Sequence, residues 1–500
     1  MSFNFGPTLL SWMEHFAPLT YERIIKADIE SCSRYAGHGN AIAQVYNHII
    51  MPLANKHDKY TQIIWGIKDF QFRFGRKPEG MWLAETAADD ETLKVLADNG
   101  IKFTILSPYQ ACEFKEINSD RWEDVSWGNI DPARPYRYYI KSEKGKYIDI
   151  FFYDGAISKS VAFDNLLLDG DRFAKRLTEG VSDSRNFPQL INIATDGESY
   201  GHHTKFGDMA LSYVLKVKAK DLGFKITNYA EFLEKFPPKY EVKIKEPSSW
   251  SCSHGVGRWC EDCGCSTGGK PGWNQKWRKP LREALNYLRN ELSIIFENNG
   301  KKYFSKDVWD VRNNYISVIL NRKESNILKF QKENFKTKLS DEEKVRAMEL
   351  LEIQRQAQLM FTSCGWFFTE ISGIETVQIM KYAARAMQLA TKFSDKNLEE
   401  KFLSILSTAK SNIPEFDNGK VIYERYVKPC VVTAKQLACL WAISSLYEDF
   451  EDEENVYCYT IKRKSYKRLN KGNSSFIIAN IEIRSRITHQ KSDLKVALMQ

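Results

Sequence analysis

A chain of 500 residues exceeds one ordinary hydrophobic core, which predicts two or three domains. The hydrophobic fraction of 43% and the charged fraction of 27% are typical of globular proteins and exclude a disordered or membrane chain. The net charge of +8 is dispersed, no apolar run reaches membrane-spanning length and the start lacks a signal-peptide pattern, so we expect a cytoplasmic protein with neither nucleic acid nor membrane as partner.

The first half of the chain alternates between helical and strand periodicity, which predicts βα units and a parallel sheet. Helices are predicted at 18–35, 41–56 and 60–74, and buried strands at 80–83 (GMWL), 101–106 (IKFTIL) and 190–195 (LINIAT). The segments RYYIK and KYIDIFFYD, on either side of SEKGK, predict an added hairpin. We assign residues 1–245 to an α/β catalytic domain.

Residues 246–280 form a long loop rich in Trp, Gly and Cys, which predicts a functional segment because long loops in compact domains are usually functional or disordered. Amphipathic helices then predict a helical bundle over residues 281–447. These helices are expected at 281–299, 304–322, 341–361, 366–393, 397–410 and 433–447.

Residues 448–500 are interpreted as a linker and the start of a C-terminal β-domain. The acidic run EDFEDEE (448–454) and the basic run KRKSYKR (462–468) indicate a solvated connector. The alternation in FIIANIEIRSRI (476–487) predicts a half-buried antiparallel strand, but no partner strand is evident. Because no first strand precedes the opening helix either, we expect the sequence to be truncated at both ends.

Two carboxylates are predicted at strand ends, where α/β enzymes gather their catalytic groups. Glu85 follows GMWL, and Asp196 follows LINIAT. Glycoside hydrolysis needs such a pair, one to attack the sugar and one to protonate the leaving oxygen. The structural alternatives are a dipole-stabilised glutamate at a helix start and an Asp-Gly turn.

Histidines accompany both carboxylates. His202 and His203, just beyond Asp196, are candidates for binding sugar hydroxyls. His48 lies in an apolar pattern, where a partly buried core histidine is the more frequent finding.

The loop holds a set of potential metal ligands, Cys252, His254, Cys260, Cys263 and Cys265. Their spacing matches no zinc finger, and zinc sites usually keep two separated ligand pairs. We therefore predict no metal and no cofactor, and favour a Trp-rich substrate loop with reduced thiols.

The motifs FNFGPTLLSW, GHGNAIAQVYNHIIMPLA, GRKPEGMWLAETA, TDGESYGHH and SWSCSHGVGRWCEDCGC resemble a subgroup of glycoside hydrolase family 57, the α-amylase and α-glucanotransferase family. The resemblance covers residues 1–300 densely. It implies an incomplete (β/α)7 barrel followed by an α-helical bundle, and a retaining mechanism on α-glucans. The family's first strand, with a histidine motif ending in Gln-Pro, has no counterpart here before Ser2.

The same resemblance implies roles for individual residues. Glu85 falls on the nucleophile and Asp196 on the general acid/base. His48 falls on a substrate-binding histidine, and the other substrate-binding candidates are Trp82, His202, His203, Trp250 and His254.

We therefore expect a retaining glycosidase or transglycosylase with an α-glucan or oligosaccharide as partner, while the oligomeric state is not indicated. A metal-dependent polysaccharide deacetylase, using Asp196, His202 and His203, is one alternative. A glucan-binding fragment without catalytic activity is the other.

Overall fold

A computed structural model describes residues 1–448 and 450–500. The chain divides into two compact units, Met1–Trp259 and Cys260–Gln500. The strands of the first unit are β1 (Ala43–Gln44), β2 (Met81–Trp82), β3 (Phe103–Leu106), β4 (Ala111–Glu116), β5 (Glu123–Asp124), β6 (Pro135–Tyr139), β7 (Tyr147–Phe152) and β8 (Tyr240–Ile244). Its helices are α1 (Pro7–Phe16), α2 (Pro18–Arg34), α3 (Lys56–Phe74), α4 (Asp90–Asp98), α5 (Gly155–Phe163), α6 (Gly170–Thr178), α7 (Gly207–Tyr213), α8 (Ala219–Asp221) and α9 (Tyr229–Lys235).

A parallel arrangement runs through the centre of the first unit. Strand β1 pairs with β2, a bridge from Gly80 to Phe103 joins β2 to β3, and β3 pairs with β7. Phe3 makes a further parallel bridge to Ala41 beside β1. The four residues of β3 are all buried, as expected for a parallel strand covered on both faces. The carboxyl ends of these strands therefore lie at one edge of the sheet.

Helix α3 packs unusually close to β1 at Gly66. A Cβ at this position would lie 2.2 Å from the backbone oxygen of Gln44. Only glycine therefore fits where the helix crosses the strand, although glycine costs about 1 kcal/mol relative to alanine inside a helix.

The predicted hairpin is confirmed. Strands β6 and β7 pair antiparallel, with Pro135 opposite Phe151 and Tyr139 opposite Tyr147. Strands β8, β4 and β5 continue the sheet beyond β6. The predicted helices at 18–35 and 60–74 are confirmed as α2 and α3.

Two predicted elements of the first unit are wrong. Residues 41–56 do not form a helix, because the buried run 41–45 contains strand β1 and is followed by a turn in which His48 has a φ of 53°. Residues 190–195 do not form a strand. The amide of Ala194 donates to the Ser158 hydroxyl instead of to a strand backbone, and isolated bonds replace a continuous ladder.

The second unit contains the predicted helical bundle. Its helices are α10 (Arg278–Tyr303), α11 (Val308–Asn314), α12 (Ile316–Leu320), α13 (Glu324–Asn334), α14 (Asp341–Leu359), α15 (Cys364–Phe367), α16 (Ile374–Ala390), α17 (Leu398–Leu406), α18 (Gly419–Ile422) and α19 (Ala434–Ser444). Helix α14 packs against α10 and α16. The single helix predicted at 366–393 is instead two helices, α15 and α16, separated by a turn that includes Gly373.

The last strands of the second unit form a four-stranded antiparallel sheet. The strand order is β12 (Lys491–Met499), β11 (Ser474–Ser485), β10 (Tyr459–Lys471) and β9 (Glu453–Val456). The predicted strand at 476–487 is confirmed as β11, but the statement that it lacks a partner is wrong, because β10 and β12 flank it.

The basic run 462–468 is not a solvated connector but part of β10, whose side chains are mostly exposed. The acidic run 448–454 ends in β9, and its residue 449 lies outside the described residues. Helix α19 covers the sheet, with Trp441 packed in the same core as Ile461 and Ile481.

The predicted fold class is confirmed as a mixed α/β unit with a partial, barrel-like sheet, followed by helices and a C-terminal antiparallel sheet. Within the described part of the chain, no helix is both long enough and apolar enough to span a membrane.

Candidate active site

Glu85 follows strand β2 in a tight turn with strained backbone geometry. Glu85 has a φ of 56° and Thr86 a φ of 51°, in the left-handed region that residues other than glycine rarely occupy. Gln110 supports this turn, since its Nε2 donates to the Thr86 carbonyl (2.9 Å) and its Oε1 accepts from the Thr86 hydroxyl (2.7 Å). Such strain persists where surrounding contacts impose it, most often at functional sites.

The Glu85 carboxylate is held by the loop at 250–251. Trp250 Nε1 donates to Glu85 Oε2 at 2.8 Å, and the Ser251 hydroxyl donates to the same oxygen at 2.6 Å. The backbone amide of Trp250 also donates to the Glu85 carbonyl at 3.0 Å. Both side-chain bonds end on Oε2, so they fix the rotation of the carboxylate.

His48 lies beyond the end of β1 and also has a positive φ, 53°. Burial lowers the pKa of its imidazole, and the neighbouring Glu85 charge opposes that change. The two side chains are thus close enough to interact electrostatically. Burial dominates, which favours the neutral imidazole with one donor and one acceptor nitrogen.

Asp196 lies in the irregular segment that follows residue 195. The residue is exposed, but protein atoms crowd its carboxyl group, and this desolvation is the largest cause of a raised pKa. The negative charges of Glu85 and Glu198 raise the pKa further, whereas His203 lowers it. The fold therefore brings Asp196 into the electrostatic neighbourhood of Glu85, although the two are far apart in sequence.

His202 and His203 are both exposed, and their ring centroids are 5.0 Å apart. Their backbone amides donate to the Glu198 carbonyl, which forms a compact turn. His203 interacts electrostatically with Asp196 and lowers its pKa, whereas His202 contacts residues of this turn.

Aromatic rings surround the Glu85 loop. Trp82 and Trp250 meet edge to face with centroids 5.2 Å apart, and Tyr153 meets Trp250 in the same manner at 6.0 Å. Of these contacts, Tyr153 and the Ser251 hydroxyl were not singled out from the sequence. Ser251 stands beside Trp250 in the quoted SWSC motif, but nothing in that motif indicates which serine reaches a carboxylate.

The cysteine-rich loop brings four potential metal ligands together. The ligand atoms of Cys252, His254, Cys263 and Cys265 all lie within 4.8 Å of one another. Cys260, the fifth candidate ligand from the sequence, is not in this group. Within residues 1–448 and 450–500, no comparable group contains the Asp196 and His202–His203 set that a deacetylase would use.

Comparison with known proteins identifies the family of the first unit. Residues 4–245 match the profile described as glycosyl hydrolase family 57. The first unit belongs to glycoside hydrolase family 57. Residues 273–500 match a domain of unknown function, DUF3536.

Two known proteins are similar to this chain. It is 23% identical over 252 residues to alpha-amylase 1 of Dictyoglomus thermophilum, an alignment that covers 49% of this chain and 33% of that protein. The chain therefore spans about a third of the length of this curated relative. A solved structure, an exo-type maltose-forming amylase of Pyrococcus sp. ST04, aligns with a TM-score of 0.66 at 15% identity, over 89% of this chain and 82% of the other. At this identity the match supports the fold alone.

Proposed function

We propose that this protein is a retaining glycosidase or transglycosylase acting on α-glucans, with Glu85 as nucleophile and Asp196 as general acid/base. The observation that carries the proposal is the electrostatic interaction between these two carboxyl groups. Glu85 is held by two hydrogen bonds on Oε2, and its charge contributes to the raised pKa of Asp196. Carboxyl groups in such unequal environments suit the two separate roles of a retaining mechanism.

The chemistry follows from these environments. With Oε2 occupied by Trp250 and Ser251, Oε1 of Glu85 is the oxygen that attacks the anomeric carbon. Asp196 stays protonated to higher pH than an ordinary aspartate, so it donates its proton to the departing glycosidic oxygen. It then removes a proton from the incoming water or sugar hydroxyl, whose oxygen displaces Glu85 and restores both groups.

Neighbouring groups provide the substrate contacts in this proposal. The neutral imidazole of His48 can both donate and accept a hydrogen bond, as a sugar hydroxyl requires. The indoles of Trp82 and Trp250 offer apolar faces to the sugar ring. His203 lies toward Asp196, where the leaving sugar would depart. His202 and His254 are exposed and are proposed as outer contacts.

The α-glucan specificity rests on the family and on its named members. The relatives reported above are an alpha-amylase and a maltose-forming amylase. Both names describe action on α-linked glucose polymers. Product analysis distinguishes hydrolysis, in which water accepts the glycosyl group, from transfer to another sugar.

The test is a carboxylate series assayed on soluble starch and maltooligosaccharides. Glu85→Gln should abolish turnover while glucan binding, measured by calorimetry, remains. Asp196→Asn should abolish turnover of unactivated substrates. Glu30→Gln is the matched control, because Glu30 is an exposed residue of α2 that pairs with Arg34. Full turnover by Glu85→Gln would refute the assignment, and so would an inverted anomeric configuration of the first product, measured by NMR.

A further inference from the structure

A group of three thiols and one imidazole in the long loop gives His254 a different role from the outer substrate contact proposed above. Cys252, His254, Cys263 and Cys265 fall within fourteen consecutive residues, so the local path of one loop brings them together. Cys252 is buried, Cys263 and Cys265 are partly buried, and His254 is exposed.

The composition and size of the group are those of a zinc site. Zinc prefers thiolate and imidazole ligands in tetrahedral geometry, and a Cys3His set is one of its usual structural combinations. Two sulfurs, each about 2.3 Å from a tetrahedral zinc ion, lie about 3.8 Å apart. The donor atoms here lie within 4.8 Å of one another, so a contraction of at most about 1 Å would complete the coordination shell.

The surrounding backbone also fits metal binding. The amide of Arg258 donates to Cys252 Sγ at 3.4 Å, and hydrogen bonds of this kind orient and stabilise ligating sulfurs. Gly264, between Cys263 and Cys265, has a φ of 81°, which lets the chain turn sharply between the two thiols.

We propose that Cys252, His254, Cys263 and Cys265 form a structural zinc site. Four protein ligands leave no open coordination position, so the ion has a structural role and takes no part in sugar chemistry. Binding releases the thiol protons and leaves three thiolates and a neutral imidazole around the ion.

The position of Cys252 gives this site a consequence for Glu85. Cys252 directly follows Trp250 and Ser251, the two residues that donate to Glu85 Oε2. A metal that fixes Cys252 therefore limits the movement of both donors. Loss of zinc should loosen the loop at the same point where it holds the carboxylate.

The experiment measures metal in the whole protein, purified under reducing conditions from cells supplied with zinc. Inductively coupled plasma mass spectrometry should find one zinc ion per chain in the unmodified protein. Cys263→Ser should lose that zinc, and Cys263→His, which keeps a zinc-binding side chain, should recover part of it. Cys260→Ser is the matched control, because this cysteine lies in the same loop outside the group, and it should keep the zinc.

Cobalt substitution of the unmodified protein gives a second readout that does not depend on the folding of variants. Bound cobalt should show sulfur-to-metal charge-transfer absorption and the visible bands of tetrahedral coordination. The proposal is overturned if the reduced protein takes up neither zinc nor cobalt, if Cys260→Ser loses metal as fully as Cys263→Ser, or if the metal recovered is iron. A disulfide between members of the group in freshly purified protein would also overturn it.

Discussion

Ser251→Ala removes one of the two side-chain hydrogen bonds that hold Glu85 Oε2. A hydrogen bond to a charged group contributes about 1.5–3 kcal/mol. Because each 1.36 kcal/mol is a factor of ten in rate, loss of the full amount from the transition state would lower kcat/KM by about tenfold to a hundredfold. Trp250 still holds the same oxygen, so we expect a loss near the lower end of this range.

The assay is the initial rate of maltooligosaccharide cleavage, with thermal unfolding measured in parallel. Ser249→Ala is the control, because its hydroxyl makes a 2.7 Å bond to the Gly255 carbonyl in the same loop and does not reach Glu85. This control should lose about 1 kcal/mol of stability and retain its rate. Equal kcat/KM for Ser251→Ala and the unmodified protein would show that the hydroxyl does not position the nucleophile.

Two further predictions concern charge and packing. Glu198→Gln removes a negative charge that raises the pKa of Asp196, so the alkaline limb of the kcat/KM profile should move to lower pH. His203→Gln removes a group that lowers the pKa of Asp196, so the same limb should move to higher pH. Shifts in the same direction for both variants would contradict this assignment of the acid. Gly66→Ala should destabilise the protein by about 1–3 kcal/mol in thermal unfolding, because the new Cβ would overlap the Gln44 carbonyl despite a better helix propensity. An unchanged melting temperature would show that helix α3 moves freely away from β1.

The sequence was most informative where a short apolar strand ends in a polar group. Glu85 follows GMWL, and the structure places it at the end of β2 as predicted. The structure of the segment after Gly39 is harder to predict, because a continuous apolar run fits a buried strand and a buried helix equally well. His48 was thus assigned to a helix, whereas it lies in the turn after β1.

Other features could not be predicted because they depend on contacts between distant segments. Strand β10 has the charged sequence of a solvated connector, because most of its side chains face solvent. Its buried contact with the core is made mainly by Ile461, which packs in the same core as Trp441. Ser251 gave no sequence signal, because only the folded loop shows which hydroxyl meets Glu85. The four residues of the proposed zinc site were also not recognised as a group, because their spacing in sequence does not show that the folded loop brings the side chains together.

The proposed nucleophile can be identified directly by trapping the covalent intermediate. Asp196→Asn should be glycosylated by an activated α-glucosyl fluoride, which needs no acid to depart, and should release the sugar slowly for want of a base. Peptide mass spectrometry is then expected to find one added glucosyl group on the peptide that contains Glu85, and none after the same treatment of the Glu85→Gln, Asp196→Asn double variant. A label on another carboxylate would contradict the account, as would rapid turnover without any labelled peptide.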